Sequence, residues 1–268
     1  MGGAVGIAGA RPEQWDRYLA LCHKATDTEI INLTNHTNAV VRCYAFDCML
    51  QRKNLDFFNT LLLHLIDTAE VHTLYGCLGG REMVGDYFLQ ASKGVGLNKN
   101  QESKIDSILL FDKRASLNAR VDLLDSLRPE EKYYQRIREM VRVESFYQAT
   151  PLLAKYRNKM DIFSIANLLR SQHRDKQLYG LRSVIYFPDS SFFPALEEIV
   201  SNERQNESLE LYSALVQYKS RESRNILERE LQKVKGMELA RRTDLIYQAL
   251  KRYPDSVYLG VIKLDFFD

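Results

Sequence analysis

"LYSALVQYKS" occupies residues 211–220 and "IYQALKRYPDS" occupies residues 246–256. Aligned, they share an aliphatic residue, a tyrosine, an Ala-Leu pair and a second tyrosine. Leu211, Ala214, Leu215 and Tyr218 fall at i, i+3, i+4 and i+7, and Ile246, Ala249, Leu250 and Tyr253 repeat the spacing. That spacing places all four side chains on one face of a helix. A partial third copy, "SVIYFPDS" (183–190), matches the end of the pattern. The marker tyrosines, Tyr186, Tyr218 and Tyr253, are 32 and 35 residues apart. Each is followed by a short polar turn and then another apolar segment: "SFFPALEEIV", "RNILERELQKV" and "VYLGVIKL". A period near 30–35 built from two helices and two turns marks a stacked repeat, because one helix pair cannot bury its apolar face alone. The expectation is an all-α chain, a right-handed α-α superhelix of about six to eight helix pairs.

The same reading extends toward the N-terminus. Trp15, Tyr18, Leu19 and Cys22 keep the helical spacing behind Pro12. Thr26 and Glu29 form a capping-box pair, in which each side chain satisfies an orphan backbone N–H. Helices are expected at 39–50, 55–65 and 105–127, and one long helix at 129–148 with Pro129 in its first turn. Asp161 is expected to cap the helix carrying Ile162, Ile165, Ala166 and Leu169. "QASKGVGLNKNQESK" (90–104) is polar and aperiodic and reads as a loop, an internal break in a single helical-repeat domain spanning 1–268.

Composition sets outer bounds. The chain has 13 glycines and 6 prolines in 268 residues, too few for a turn-rich β fold. Its 37 basic and 35 acidic residues leave a net charge of +2, which gives a nucleic-acid partner no bulk support. The four cysteines, Cys22, Cys43, Cys48 and Cys77, lack zinc-ligand spacing and read as buried reduced thiols, consistent with a cytoplasmic protein. No run approaches the roughly 18 apolar residues of a membrane span. Residues 1–9 lack a signal peptide's charged start, and Gly6 stands where myristoylation needs Ser or Thr.

Residues 38–50, "NAVVRCYAFDCML", resemble the second helix of a HEAT-type repeat, with Asn38, Val41, Arg42, Ala45 and a displaced Leu50 in register. "DTAEVHTLYGCLG" (67–79) resembles it again through Val71 and Leu78, departing at Thr73 and Gly76. The resemblance implies a HEAT-like or armadillo-type solenoid that binds other macromolecules. It also implies that Arg42 pairs with an acidic residue of a neighbouring repeat. The C-terminal copies match by period alone.

"YGCLGGREMVGDYFL" (75–89) is the one stretch unlike the rest. Gly80 and Gly85 have the spacing of a phosphate loop, but Asp86 follows where such a loop needs Lys and then Ser or Thr. His64, Asp67, Glu70, His72 and Asp86 lie within 23 residues and define a metal or acid–base alternative, without recognised ligand spacing. The simpler reading is a helix ending at Gly79-Gly80 with a left-handed cap, then a turn or hairpin. Tyr75, Arg81, Asp86 and Tyr87 are the candidate partner-binding residues of this segment. "RIREMVR" (136–142) and "ARRTD" (240–244) read as solvated helix faces, and "KYY" (132–134) and "FYQ" (146–148) as sources of contact aromatics.

The function expected is non-enzymatic: a protein-binding scaffold or adaptor, with no cofactor, no metal and no membrane. Two alternatives stand beside it. One is an inhibitor or immunity-type protein that binds a toxin or enzyme. The other is a DNA-acting enzyme or hydrolase centred on 64–87, which requires His64, Asp67, His72 and Asp86 to converge in a cleft.

Overall fold

The computed structural model describes residues 3, 8–52, 54–75, 78–202 and 208–262. The described residues form fifteen α-helices and one two-stranded sheet, in two compact units, residues 1–126 and 127–268.

The first unit contains α1 (Glu13–Lys24), α2 (Asp27–Leu33), α3 (Ala39–Leu50), α4 (Phe57–His64), β1 (Glu70–Tyr75), β2 (Leu78–Met83), α5 (Val84–Val95), α6 (Lys99–Phe111) and α7 (Asn118–Ser126). Helix starts follow the local chemistry. Thr26 and Glu29 make the expected capping box, and the Asn38 and Asp56 carboxamide and carboxylate oxygens accept the first free N–H groups of α3 and α4. Helix α3 is the hub and packs against α1, α2, α4, α5 and β1. Accordingly Cys43, Tyr44, Ala45, Phe46, Cys48 and Met49 are all buried, and the Phe46 and Phe88 rings stack with centroids 3.9 Å apart.

Several expectations for this unit change. Residues 90–104 are mostly helical: Asn98 and Gln101 form a second capping box that starts α6 after only three residues have followed the end of α5. Gly79 and Gly80 lie within β2, opposite Leu74 and Thr73, rather than at a helix C-cap. The second motif match therefore falls on an antiparallel hairpin, with Gly76 and Cys77 outside the described residues. Gly85 is the glycine with a packing reason, because a Cβ there would lie 2.6 Å from the His64 carbonyl oxygen and 2.7 Å from Leu117. Cys22 and Cys48 are joined as a disulfide between α1 and α3, not held as two thiols; Cys43 is free and buried, and Cys77 is not described.

The second unit contains α8 (Glu131–Arg142), α9 (Thr150–Lys155), α10 (Ile162–Leu169), α11 (Arg174–Tyr186), α12 (Phe193–Ser201), α13 (Leu209–Val216), α14 (Arg221–Gln232) and α15 (Gly236–Arg252). Helices α9, α11, α13 and α15 pack in sequence, each on the next. Their apolar faces and those of α10, α12 and α14 share one core, which includes Ala154, Ile165, Leu181, Leu196, Leu215, Leu227 and Ile246 among its buried residues.

One turn recurs through this unit. After Tyr156, Arg157 takes φ 53° and Asn158 accepts from Met160 N–H. After Tyr218, Lys219 takes φ 49° and Ser220 accepts from Ser223 N–H. After Tyr186 and Tyr253, Pro188 and Pro254 replace the left-handed residue, and Asp189 and Asp255 are the caps. The turns are tied in series. Tyr156 Oη donates to the Glu130 carbonyl at 2.8 Å, Arg157 Nε to the Tyr186 carbonyl at 3.0 Å, and Tyr218 Oη to the Asp189 carbonyl at 2.8 Å; Lys219 pairs with Asp255 at 3.3 Å.

The expected helix over 129–148 stops at Arg142. Ser145 adopts φ 56°, Phe146 N–H returns to the Met140 carbonyl, and Pro129 precedes the N-cap Glu130 instead of lying in the first turn. Asp161 makes no cap bond, and Asn158 caps the 3-10 turn before α10.

Candidate functional site

The acid–base alternative rests on His64, Asp67, His72 and Asp86. Asp67 is held by Arg42, with Nε to Oδ2 at 2.9 Å and Nη2 to Oδ1 at 3.1 Å. The remaining Arg42 nitrogen, Nη1, donates to the carbonyls of His36 and Thr37. Arg42 thus has an acidic partner 25 residues on in the sequence. His64 Nδ1 lies 3.2 Å from Asp67 Oδ2, so this nitrogen carries the proton. Burial against Phe88 lowers the His64 pKa, outweighing the carboxylate's opposite pull, so the ring is neutral at pH 7.

Asp86 is elsewhere in function. Its two oxygens accept the backbone N–H groups of Asn118 and Ala119, so it caps α7 from a distant segment. His72 is exposed on β1, paired across the hairpin with Arg81. The four residues therefore do not line one cleft. The candidate partner-binding residues divide similarly. Tyr87 is buried and donates to Asp47 Oδ2 at 2.6 Å, Asp86 is spent on the cap, and the Tyr75 side chain is outside the described set. Arg81 remains exposed, 3.7 Å from Glu70, and lines a cleft of about 390 Å³ with Glu82, Asp86, Lys93 and Asp122. Charges of both signs face that cleft.

Asp47 was not singled out in the sequence, yet its carboxyl is pushed up to about 6 by burial, against the downward pull of the Tyr87 hydrogen bond. An acid inside the otherwise apolar "CYAFDCML" was the available signal. It lines none of the clefts described here.

A cleft of about 760 Å³ lies in the second unit. It is walled by the end of α8, the segment 145–150, α10 and the start of α11. Arg142, Ser145, Tyr147, Thr150, Phe163 and Lys176 are among its lining residues, and none of the lining residues is a carboxylate. Phe163 is 72% exposed. Thr150 is fully buried, and among the described residues its hydroxyl has no hydrogen-bond partner. Lys176 Nζ sits 5.7 Å from the Tyr147 ring centroid, a cation–π contact. Below the cleft, the buried Asp161 carboxylate accepts from Tyr134 Oη at 2.9 Å and lies 3.3 Å from Arg138 and 3.4 Å from Arg142.

The basic runs that read as solvated faces are thus partly internal. Arg136 is buried against Glu139 and Glu144, and Arg242 against Glu230. Tyr147, from "FYQ", lines the cleft. The cleft itself was not legible, because four segments separated by turns of unknown angle build it.

Comparison with protein-family models, curated proteins and solved structures finds no match to this chain. Among the described residues no helix is long and apolar enough to cross a membrane.

Proposed function

We propose that the protein is a non-enzymatic helical-repeat scaffold that binds a protein partner, with the contact made through the second unit. One observation carries the reading. The 760 Å³ cleft opens on the turn-repeated helices and presents an exposed Phe163, with Val143 (70%) and Met160 (62%) exposed on neighbouring segments. Met160 is held beside the cleft, since its carbonyl accepts from Arg142. Three large apolar side chains left in water within a polar surround have the composition of a protein contact. The HEAT-like solenoid geometry is part of the same proposal, supported by the serial packing of α9, α11, α13 and α15.

Of the residues required by a hydrolase centred on 64–87, His64 and Asp67 are engaged with Arg42 in an ion-pair cluster and Asp86 in a helix cap, while His72 lies apart on the exposed face of β1, which favours the scaffold. A cleft without acids also suits a basic toxin poorly, so an inhibitor of that kind is the weaker form of the proposal. The disulfide withdraws the thiol argument for a cytoplasmic location, because such bonds persist chiefly in oxidising compartments.

The test is affinity capture of the tagged protein from its own source, read by mass spectrometry, with Phe163→Asp and Arg81→Glu variants in parallel. A partner lost only with Phe163→Asp supports the reading. One lost only with Arg81→Glu, exposed on the hairpin, moves the contact there, and no partner with any form overturns the scaffold function.

A further inference from the structure

We propose that the 760 Å³ cleft recognises an acidic segment of a partner protein in which an aromatic or large aliphatic side chain stands beside the carboxylates; this deepens the scaffold reading and rests on it. Charge gives the sign of the ligand. Two cationic side chains and no carboxylate line the cleft, although the whole chain is nearly balanced. The one acid beneath it, Asp161, is 1% exposed and shared between Arg138 and Arg142. A single carboxylate cannot neutralise two guanidiniums, so one positive charge is left over, and Arg142 keeps 37% of its side chain exposed. Lys176 rests on the Tyr147 ring rather than on an acid. A ligand carboxylate would meet both cations without displacing an existing surface pair.

The other lining groups indicate a peptide. Ser145, Thr150, Ser164, Asn167 and Ser171 offer hydroxyls and an amide, the groups that satisfy a bound backbone. Thr150 contributes a fully buried hydroxyl still lacking a partner among the described residues, a group that costs stability until it is satisfied. Phe163 inside the cleft, with Val143 and Met160 beside it, supplies apolar surface for an anchor side chain. A nucleic acid would want a longer track of cations for successive phosphates, and would leave this apolar surface uncovered.

The experiment is fluorescence anisotropy on the full chain at low and physiological salt. The probes are a fluorescein-labelled peptide of Asp and Glu around two Phe residues, its Asn/Gln counterpart, its Phe→Ser counterpart, and a labelled oligothymidylate. The acidic Phe peptide should bind most tightly, with affinity falling as salt rises. Lys176→Glu and Phe163→Ala should each weaken it about tenfold, and Lys251→Glu, exposed on α15, should leave it unchanged. Lys176→Gln, with an unchanged circular dichroism spectrum, guards against misfolding by showing an intermediate loss. Equal binding of the Asn/Gln peptide, tighter binding of the oligothymidylate, or indifference to both cleft variants overturns the proposal. If no peptide binds while partner capture through Phe163 persists, the ligand class is wrong and the scaffold stands; if both are absent, both fall.

Discussion

Replacing Asp47 with Asn should make the protein more stable at neutral pH. Asp47 lies on α3 beside buried Cys43 and accepts the Tyr87 hydroxyl. Burial raises its carboxyl from 3.8 to about 6, and no cation offsets that burial. Between those two values the folded chain holds a proton that the unfolded chain has lost. Its contribution to stability is therefore complete below 3.8 and lost as pH rises through about 6. At pH 7.5 the folded carboxylate is ionised in poor surroundings. A shift of roughly two units at about 1.4 kcal/mol each gives about 3 kcal/mol, and the partial exposure of the side chain reduces this to about 2 kcal/mol. Asn cannot ionise, and its carbonyl oxygen can still accept from Tyr87. Urea unfolding followed by the fluorescence of Trp15, the single tryptophan, which packs 4.8 Å from Tyr18 in the same unit, reads the effect directly. The variant should gain about 2 kcal/mol at pH 7.5 and less than about 0.5 kcal/mol at pH 4. Equal gains at both pH values, or a loss at pH 7.5, would refute the reasoning.

Arg42→Ala should destabilise by about 3 kcal/mol, because it strips the main partner from a mostly buried Asp67 and frees two carbonyls; an unchanged denaturation midpoint would contradict that. Gly85→Ala should cost about 2 kcal/mol through the close contacts with His64 and Leu117, while Gly79→Val, whose Cβ would come no nearer than 3.6 Å to Leu74, should stay within about 0.5 kcal/mol. Thermal scans of the two glycine variants should differ accordingly, and equal shifts would remove the packing argument. Reducing the Cys22–Cys48 bond, which closes a loop across 26 positions, should lower stability by about 3 kcal/mol, checked by unfolding with and without dithiothreitol against Cys48→Ala.

Much of the helical order was legible because caps and periodicity are local. Thr26 with Glu29, and the spacing of Leu211 to Tyr218, each needed only neighbours within one or two turns. The misreadings share a different cause. Gly79 and Gly80 suit a helix cap and a hairpin equally in sequence, and only pairing with Leu74 and Thr73 decides between them. Asp161 looks like an N-cap from its neighbours, yet tertiary contacts with Tyr134, Arg138 and Arg142 claim its carboxylate. The turn after Tyr156 went unnoticed because "LLAKY" lacks the Tyr-x-Ala-Leu signature of its later copies, although it precedes Tyr186 by 30 residues. Residues that act at a distance, such as Asp86 on α7, leave no mark in the spacing that sequence reading uses.

The series of turns from Tyr156 to Tyr253 has a mechanical consequence. Each joint is fastened to the one before or after it by a hydrogen bond or ion pair at the same edge, so tension along the chain is shared there link by link. In the stacked-repeat arrangement proposed above, neighbour contacts dominate stability, so a pull on the ends would open the unit stepwise, one helix pair at a time. The same modularity makes the segment between equivalent points of adjacent turns, about one period long, the natural unit to delete or duplicate, since the flanking fasteners could rejoin in register.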